Sequence, residues 1–152
     1  MTDTTTETFT VAVFQDHEWA RKGIDALLRD GFSAAAVSVM GKASPDVAAV
    51  IQETLGVPSA ETEARALGRL VTVGSLAAVL QGTDGALKTQ GIGGTMTRAG
   101  FQRHDGYIFE TLVGRGGVLV AVRDERRAAD ALATMHSYGG GNAAIGAWAG
   151  RV

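Results

Sequence analysis

The sequence predicts an α+β fold in which two βαβ units share one antiparallel sheet, and three observations carry that prediction. The first is the run Gly117-Val118-Leu119-Val120-Ala121-Val122, a short β-branched segment bounded by glycine that reads as a strand buried on both faces. The second is the succession after that run: Arg123 and Asp124, then Glu125–Tyr138 with apolar spacing at Ala128, Leu132 and Met135, then Gly139-Gly140-Gly141, then Asn142–Trp148 as a second strand. The third is that an earlier stretch repeats the pattern. Asp16 corresponds to Asp124, Ala20 to Ala128, Ile24 to Leu132, Leu27 to Met135, Gly31 to Gly139 and Val37 to Ile145, all at one offset. The first strands fit only after a one-residue shift, since Val13 stands three before its aspartate and Val122 two before its own. Two such units with right-handed crossovers form a four-stranded antiparallel sheet carrying both helices on one face, the ferredoxin-like arrangement.

Taken in order, 1–7 is a threonine-rich solvated tail, and Thr8–Phe14 alternates with Phe9, Val11 and Val13 on one face, a strand signal. Asp16 suits an N-cap, because its carboxylate accepts from the free amides of the first turn. Trp19, Ala20, Ile24, Leu27 and Leu28 form one helical stripe, with Trp19 in the core or at its rim, while Arg21, Lys22, Asp25, Arg29 and Asp30 face away. Gly31 supplies a left-handed stop, Phe32 packs back on the last turn, and Ala35–Met40 is the next strand. The first βαβ unit therefore covers 8–41.

Between the units, 44–115 reads as a helical insertion. Ser44-Pro45-Asp46 opens a helix with a cap, a first-turn proline and an acid at the positive end, and Val47, Val50, Ile51 and Leu55 give its stripe. Ser59–Gly68 is polar and suits another helical turn, Leu70–Val73 a short strand, and Ser75–Leu80 a short alanine-rich helix. Gly91-Ile92-Gly93-Gly94 suits a turn or close helix packing, since no glycine-lysine-serine/threonine comes after it as a phosphate cradle requires. Thr95–Phe101 reads as helical, and Asp105 as the cap of a helix over Gly106–Val113, in which Tyr107, Ile108, Leu112 and Val113 are available for burial. The second unit covers 116–149.

Composition narrows the function. A chain of 152 residues fits one domain, which at this size buries about 68–70% of its unfolded surface and needs no staple. There is no cysteine, which removes disulfides, thiolate nucleophiles and thiolate metal sites together. A formal charge of −2 argues against a nucleic-acid surface, no run of 18 apolar residues predicts a membrane span, and Met1–Glu7 lacks the regions of a signal peptide. The expectation is a cytoplasmic protein.

No motif calls for a cofactor. His17, His104 and His136 form no His-x-x-x-His or Glu-x-x-His pair, so no metal site is expected, and no serine sits in a nucleophile elbow. Arg103-His104-Asp105 with Tyr107 is the densest polar–aromatic cluster. Helix capping by Asp105 with exposed Arg103 and His104 accounts for it; an anionic ligand or a subunit contact is the other reading. Trp148 ends the last strand, where an edge tryptophan suits a neighbouring subunit. The sheet face opposite the helices, read by parity as Ala12, Ala36, Leu119 and Ala121, is too apolar for water and needs cover from the insertion or from a second chain.

The stretch Val11–Val39, containing VFQDHEWARKGIDALLRDGFSAAAVSV, resembles the N-terminal signature of the bacterial general stress protein 17M-like (heat-induced stress protein) family. GSLAAVLQG (Gly74–Gly82) and ETLVGRGGVLVAV (Glu110–Val122) are similar to its glycine-alanine middle and its glycine-glycine-strand segment. The resemblance implies a small ferredoxin-like domain tied to stress responses, with no catalytic residues to transfer. Arg69, Asp84, Lys88 and Arg98 interrupt the longer apolar middle that relatives carry. The expected function is non-enzymatic: self-assembly into a homo-oligomer or binding of another protein. The alternative is a small-molecule or metal-binding sensor or carrier, its pocket between sheet and insertion helices lined by Arg103, His104, Tyr107 or Arg115.

Overall fold

The computed structural model describes residues 7–124 and 126–148, with side chains over 9–124 and 126–140. The predicted tail lies outside the described residues except for Glu7, which already belongs to the first strand. The elements run β1 (Glu7–Phe14), α1 (His17–Arg29), a 3-10 turn over Ala34–Ala36, β2 (Val37–Lys42), α2 (Pro45–Leu55), β3 (Ala60–Ala64) and β4 (Gly68–Val73). They continue as α3 (Ser75–Gln81), α4 (Ala86–Arg98), α5 (Arg103–Gly114), β5 (Val118–Arg123), α6 (Ala128–Ser137) and β6 (Gly141–Trp148).

The fold is α+β, with one open sheet in the order β3-β4-β2-β5-β1-β6 and every neighbouring pair antiparallel. The first strands of the two predicted units lie edge to edge, Val11 opposite Ala121 and Val13 opposite Leu119. Among the described residues the sheet has six strands rather than the four expected, because the short strand expected at Leu70–Val73 joins it as β4 and a further, unexpected strand joins beside it. Ser59–Gly68 does not continue as helix: Ala60–Ala64 pairs with β4, Glu61 opposite Val71 and Glu63 opposite Arg69. Pairing with a neighbour, not the weak strand propensity of Ala-Glu-Thr-Glu-Ala, makes this segment extended.

Each face of the sheet has its own core. On one, Ala12, Phe14, Val37, Val39, Val71, Val118, Val120 and Val122 pack against Ala20, Ile24 and Leu27 of α1, Val50 and Ile51 of α2, and Ala131 and Met135 of α6. On the other, Phe9, Val11, Val13, Met40, Leu70, Leu119 and Ala121 meet Leu76 and Leu80 of α3, Leu87, Ile92 and Met96 of α4, and Phe109 and Val113 of α5. Fully burying one such side chain contributes roughly 1.5–3 kcal/mol. Ala12 therefore lies under α1 and α6, and Phe9, Val11 and Val13 under the insertion, the reverse of the predicted parity. A strand buried on both sides is apolar at every position, so alternation does not tell its faces apart. Helices α3, α4 and α5 of the insertion cover the face expected to need cover, while α2 joins α1 and α6 on the other face; no second chain is required over these strands.

The repeat extends to hydrogen bonds. Asp16 Oδ1 accepts from the Trp19 amide at 3.0 Å, and Asp124 Oδ1 from the Arg127 amide at 3.2 Å. Gly31 and Gly139 stand at φ 94° and 88°, and past them the Phe32 amide donates to the Leu27 carbonyl at 3.1 Å and the Gly140 amide to the Met135 carbonyl at 2.8 Å. That pairing back across the stop satisfies carbonyls that the helix leaves free. The second helix is shorter than predicted, beginning at Ala128. The Arg127 guanidinium lies 4.0 Å over the Phe32 ring, and Thr134 Oγ1 donates to Asp30 Oδ2 at 2.7 Å, so the two helices brace each other. Trp19 is not core: it is 41% exposed, with Lys22 Nζ 4.5 Å over its ring. Residues Ala35 and Ala36, predicted as strand, belong to the 3-10 turn.

Candidate functional site

Helix α5 begins two residues before its predicted cap. Gln102 is the N-cap residue and no side chain bonds there, so Asp105 is a first-turn acid facing the positive helix end rather than the cap. Extending the helix back to Arg103 puts its side chains on three flanks. Gly106, Phe109 and Val113 are buried against the sheet, with Phe109 edge-on to Phe101 at 6.3 Å between ring centres.

The second flank meets α4. A Cβ on Gly106 would stand 2.9 Å from the Gly93 carbonyl oxygen, and one on Gly93 would stand 2.5 Å from the Tyr107 ring, so the helices approach through glycine. Within α4, Gly91 takes φ 75°, ψ −177° and breaks the helical ladder. The Gly93 amide beyond that break donates to Glu110 Oε1 at 3.0 Å. The glycine run thus serves close helix packing, and a carboxylate of the chain itself already occupies its freed amide. A phosphate cradle is not what this geometry builds.

The third flank is open. His104, Ile108, Thr111, Leu112 and Arg115, with the edge of Tyr107, line a groove of about 390 Å³. Past Leu112 and Arg115 it continues into a second depression of about 270 Å³ bounded by Val13, Phe14, Gln15 and Gly117, at the end of the sheet. Ile108 and Leu112 are half-buried, Tyr107 is 43% exposed, and His104, Thr111 and Arg115 are exposed. Helix α5 crosses β2, β5, β1 and β6 with its last turn beside Lys42 of β2, and this flank, away from α4, opens at the end of β1 and the turn into β5. Among the described residues, β6 has β1 on one side and no strand on the other.

The structure brings His104, Tyr107 and Arg115 to one groove but leaves Arg103 outside it, where its guanidinium lies 5.8 Å from the Tyr107 ring centre on the α4 side. Trp148 closes β6 opposite Glu7; the expectation for its side chain falls outside the described residues. In the sequence, Ile108 and Leu112 are legible only as burial candidates and Asp105 only as a cap. The signal that joins Ile108 and Leu112 to the groove is their helical spacing with Arg115, visible once the helix starts at Arg103. Among the described residues no group of three or more His, Asp or Glu comes together, and no helix is long and apolar enough to cross a membrane.

No family model, curated protein or solved structure matches the chain. The likeness to the heat-induced stress proteins rests on the residues quoted for it.

Proposed function

We propose that this is a cytoplasmic, non-enzymatic protein of the heat-induced stress class, built on a ferredoxin-like duplication, that works by self-assembly or by binding another protein. The strand order β2-β5-β1-β6, four of the strands of the sheet, supports reading the two halves as that duplication. The observation that carries the function is the open flank of α5: half-buried Ile108 and Leu112, rimmed by exposed polar groups, beside an edge strand whose sequence Gly-Asn-Ala-Ala-Ile-Gly-Ala-Trp holds no charge. Apolar positions ringed by polar ones, near a strand that among the described residues has no outer neighbour, suit a contact surface rather than a catalytic cleft.

Light scattering tests the reading. The native chain is expected to exceed its single-chain mass of 15.7 kDa, or to capture a partner, and Ile108→Glu to abolish either association. A strict monomer whose captured proteins are indifferent to Ile108→Glu would sink it. Arg115 favours a second reading, a carrier of an anionic small molecule, because it lines both depressions. A metabolite panel read by thermal shift separates the two, since a specific ligand stabilises by RT ln(1 + [L]/Kd).

A further inference from the structure

We infer that this chain binds a single-tailed amphipathic carboxylate, its charged head held by Arg115 and Gln15 at the end of the sheet and its apolar tail lying along Leu112 and Ile108. The inference rests on the carrier reading above rather than the assembly one, and it names the class of molecule carried.

The two depressions beside α5 differ in kind and share a wall. The larger offers half-buried Ile108 and Leu112 with the edge of the Tyr107 ring beside them. The smaller combines buried Val13, Phe14 and Gly117 with two exposed polar side chains, Gln15 and Arg115. Leu112 and Arg115 line both, so a fixed charge and an apolar surface stand side by side at the join. The Gly117 amide donates to the Leu112 carbonyl at 2.9 Å, which ties the end of α5 to the start of β5 and sets the shape of that join. Small-molecule sites run to about 300–1,000 Å³ and pair an apolar lining with a few polar groups that fix orientation. The larger depression, at about 390 Å³, falls in that range.

The lining sets the sign of the ligand's charge. No Asp or Glu lines either depression. Lys42 Nζ lies 3.5 Å from the Gly114 carbonyl oxygen, so a second cation stands at the same end of α5. Among the described residues no carboxylate pairs with Arg115 or Lys42. The acids close by in sequence are turned to other work: Glu110 accepts from the Gly93 amide on the α4 flank, and Asp16 from the Trp19 amide as the cap of α1. A planar guanidinium takes a carboxylate in two parallel hydrogen bonds, and the Gln15 carboxamide offers a further N–H. From Arg115 back to Ile108 is seven residues, about 10 Å at 1.5 Å of rise each, which is the run available to the tail. Ile108 and Leu112 are half-buried, so they receive a tail laid over them and do not project into a bilayer. The ligand is therefore a free molecule and not a lipid in a membrane.

Decanoate is the probe, with decanol and inorganic phosphate as its apolar and anionic halves taken separately. Titrated into the isotopically labelled native chain, decanoate is expected to shift the amide resonances of Ile108, Leu112, Arg115 and Gly117 saturably. Arg115→Gln is expected to weaken that binding about tenfold or more, and decanol and phosphate to bind the native chain more weakly by at least the same factor. Arg115 is exposed, so the variant should unfold at the native temperature, which a thermal melt checks. Saturable shifts at these amides that Arg115→Gln removes establish the inference. Decanol or phosphate binding as well as decanoate overturns the amphipathic class, and decanoate binding that Arg115→Gln leaves unchanged overturns the site. Co-sedimentation with phosphatidylglycerol vesicles in place of binding to soluble decanoate overturns the free ligand. If decanoate fails and another anion stabilises the native chain but not Arg115→Gln, the inference falls and the carrier reading stands. If no anion binds, both fall, and the assembly reading is judged separately by Ile108→Glu.

Discussion

β3 and β6 each have a strand on one side and, among the described residues, none on the other, yet the chain treats the two exposures differently. β3 is short and acidic. Glu61 lies 3.4 Å from Arg69 and Glu63 3.8 Å from Lys88, and the strand's far end is tied to α4 by the Arg65 amide on the Leu87 carbonyl at 2.9 Å and its guanidinium on the Thr89 carbonyl at 3.2 Å. Charges of this kind deter another chain from pairing with the edge. β6 has eight residues, no charge and no proline, and it lies beside a helix flank that is half apolar. Among the described residues one edge is guarded by charge and the other is not, so the proposed association, if it runs through β6 alone, would end in a dimer, and association at both edges would run on.

The comparison breaks most completely at Phe109, which is fully buried and seats α5 on the sheet. Phe109→Ala is expected to cost about 3–5 kcal/mol in urea unfolding and to weaken association with it, because the flank loses its footing. Gly106→Ala comes next: its methyl would press on the Gly93 carbonyl, so α5 must move off α4, at roughly 1–3 kcal/mol by the same measurement. The smallest stability effect belongs to the double change Glu61→Val, Glu63→Val. Its exposed ion pairs are worth about 0–1 kcal/mol each, so thermal unfolding should barely shift. Light scattering should nonetheless show species beyond a dimer, because a molecule with two open edges associates without closing. If that variant keeps the native mass, the acids do not guard β3 and the contrast loses its meaning.

Much of this architecture is legible in the sequence wherever a local device fixes it. Asp16, Gly31 and the stripe of Ile24 and Leu27 set α1; Ser44 and Pro45 set α2, where Ser44 Oγ accepts from the Val47 amide at 3.1 Å. The features that escape the sequence depend on contacts distant along the chain. β3 is a strand because β4 lies beside it, and the faces of β1 are assigned by which helices arrive, since Phe9 and Phe14 are equally buried. Ser38 accepts from the Leu76 amide at 3.1 Å and so caps α3 from a neighbouring strand, a bond that no local motif announces. For the site, His104, Tyr107 and Arg115 stand out in the sequence as chemistry-bearing residues. Ile108, Thr111 and Leu112 join them in the groove because one helix from Arg103 to Gly114 carries all of them on the flank that α4 leaves open.

Amide hydrogen exchange at low and high protein concentration tests the asymmetry of the two edges most directly. Peptides spanning 141–148 and 103–115 should exchange more slowly as concentration rises, while the peptide spanning 60–64 keeps its rate. Protection that grows at 60–64 with 141–148 unchanged, or rates in both that ignore concentration, would contradict the proposal that this protein associates through β6 and α5.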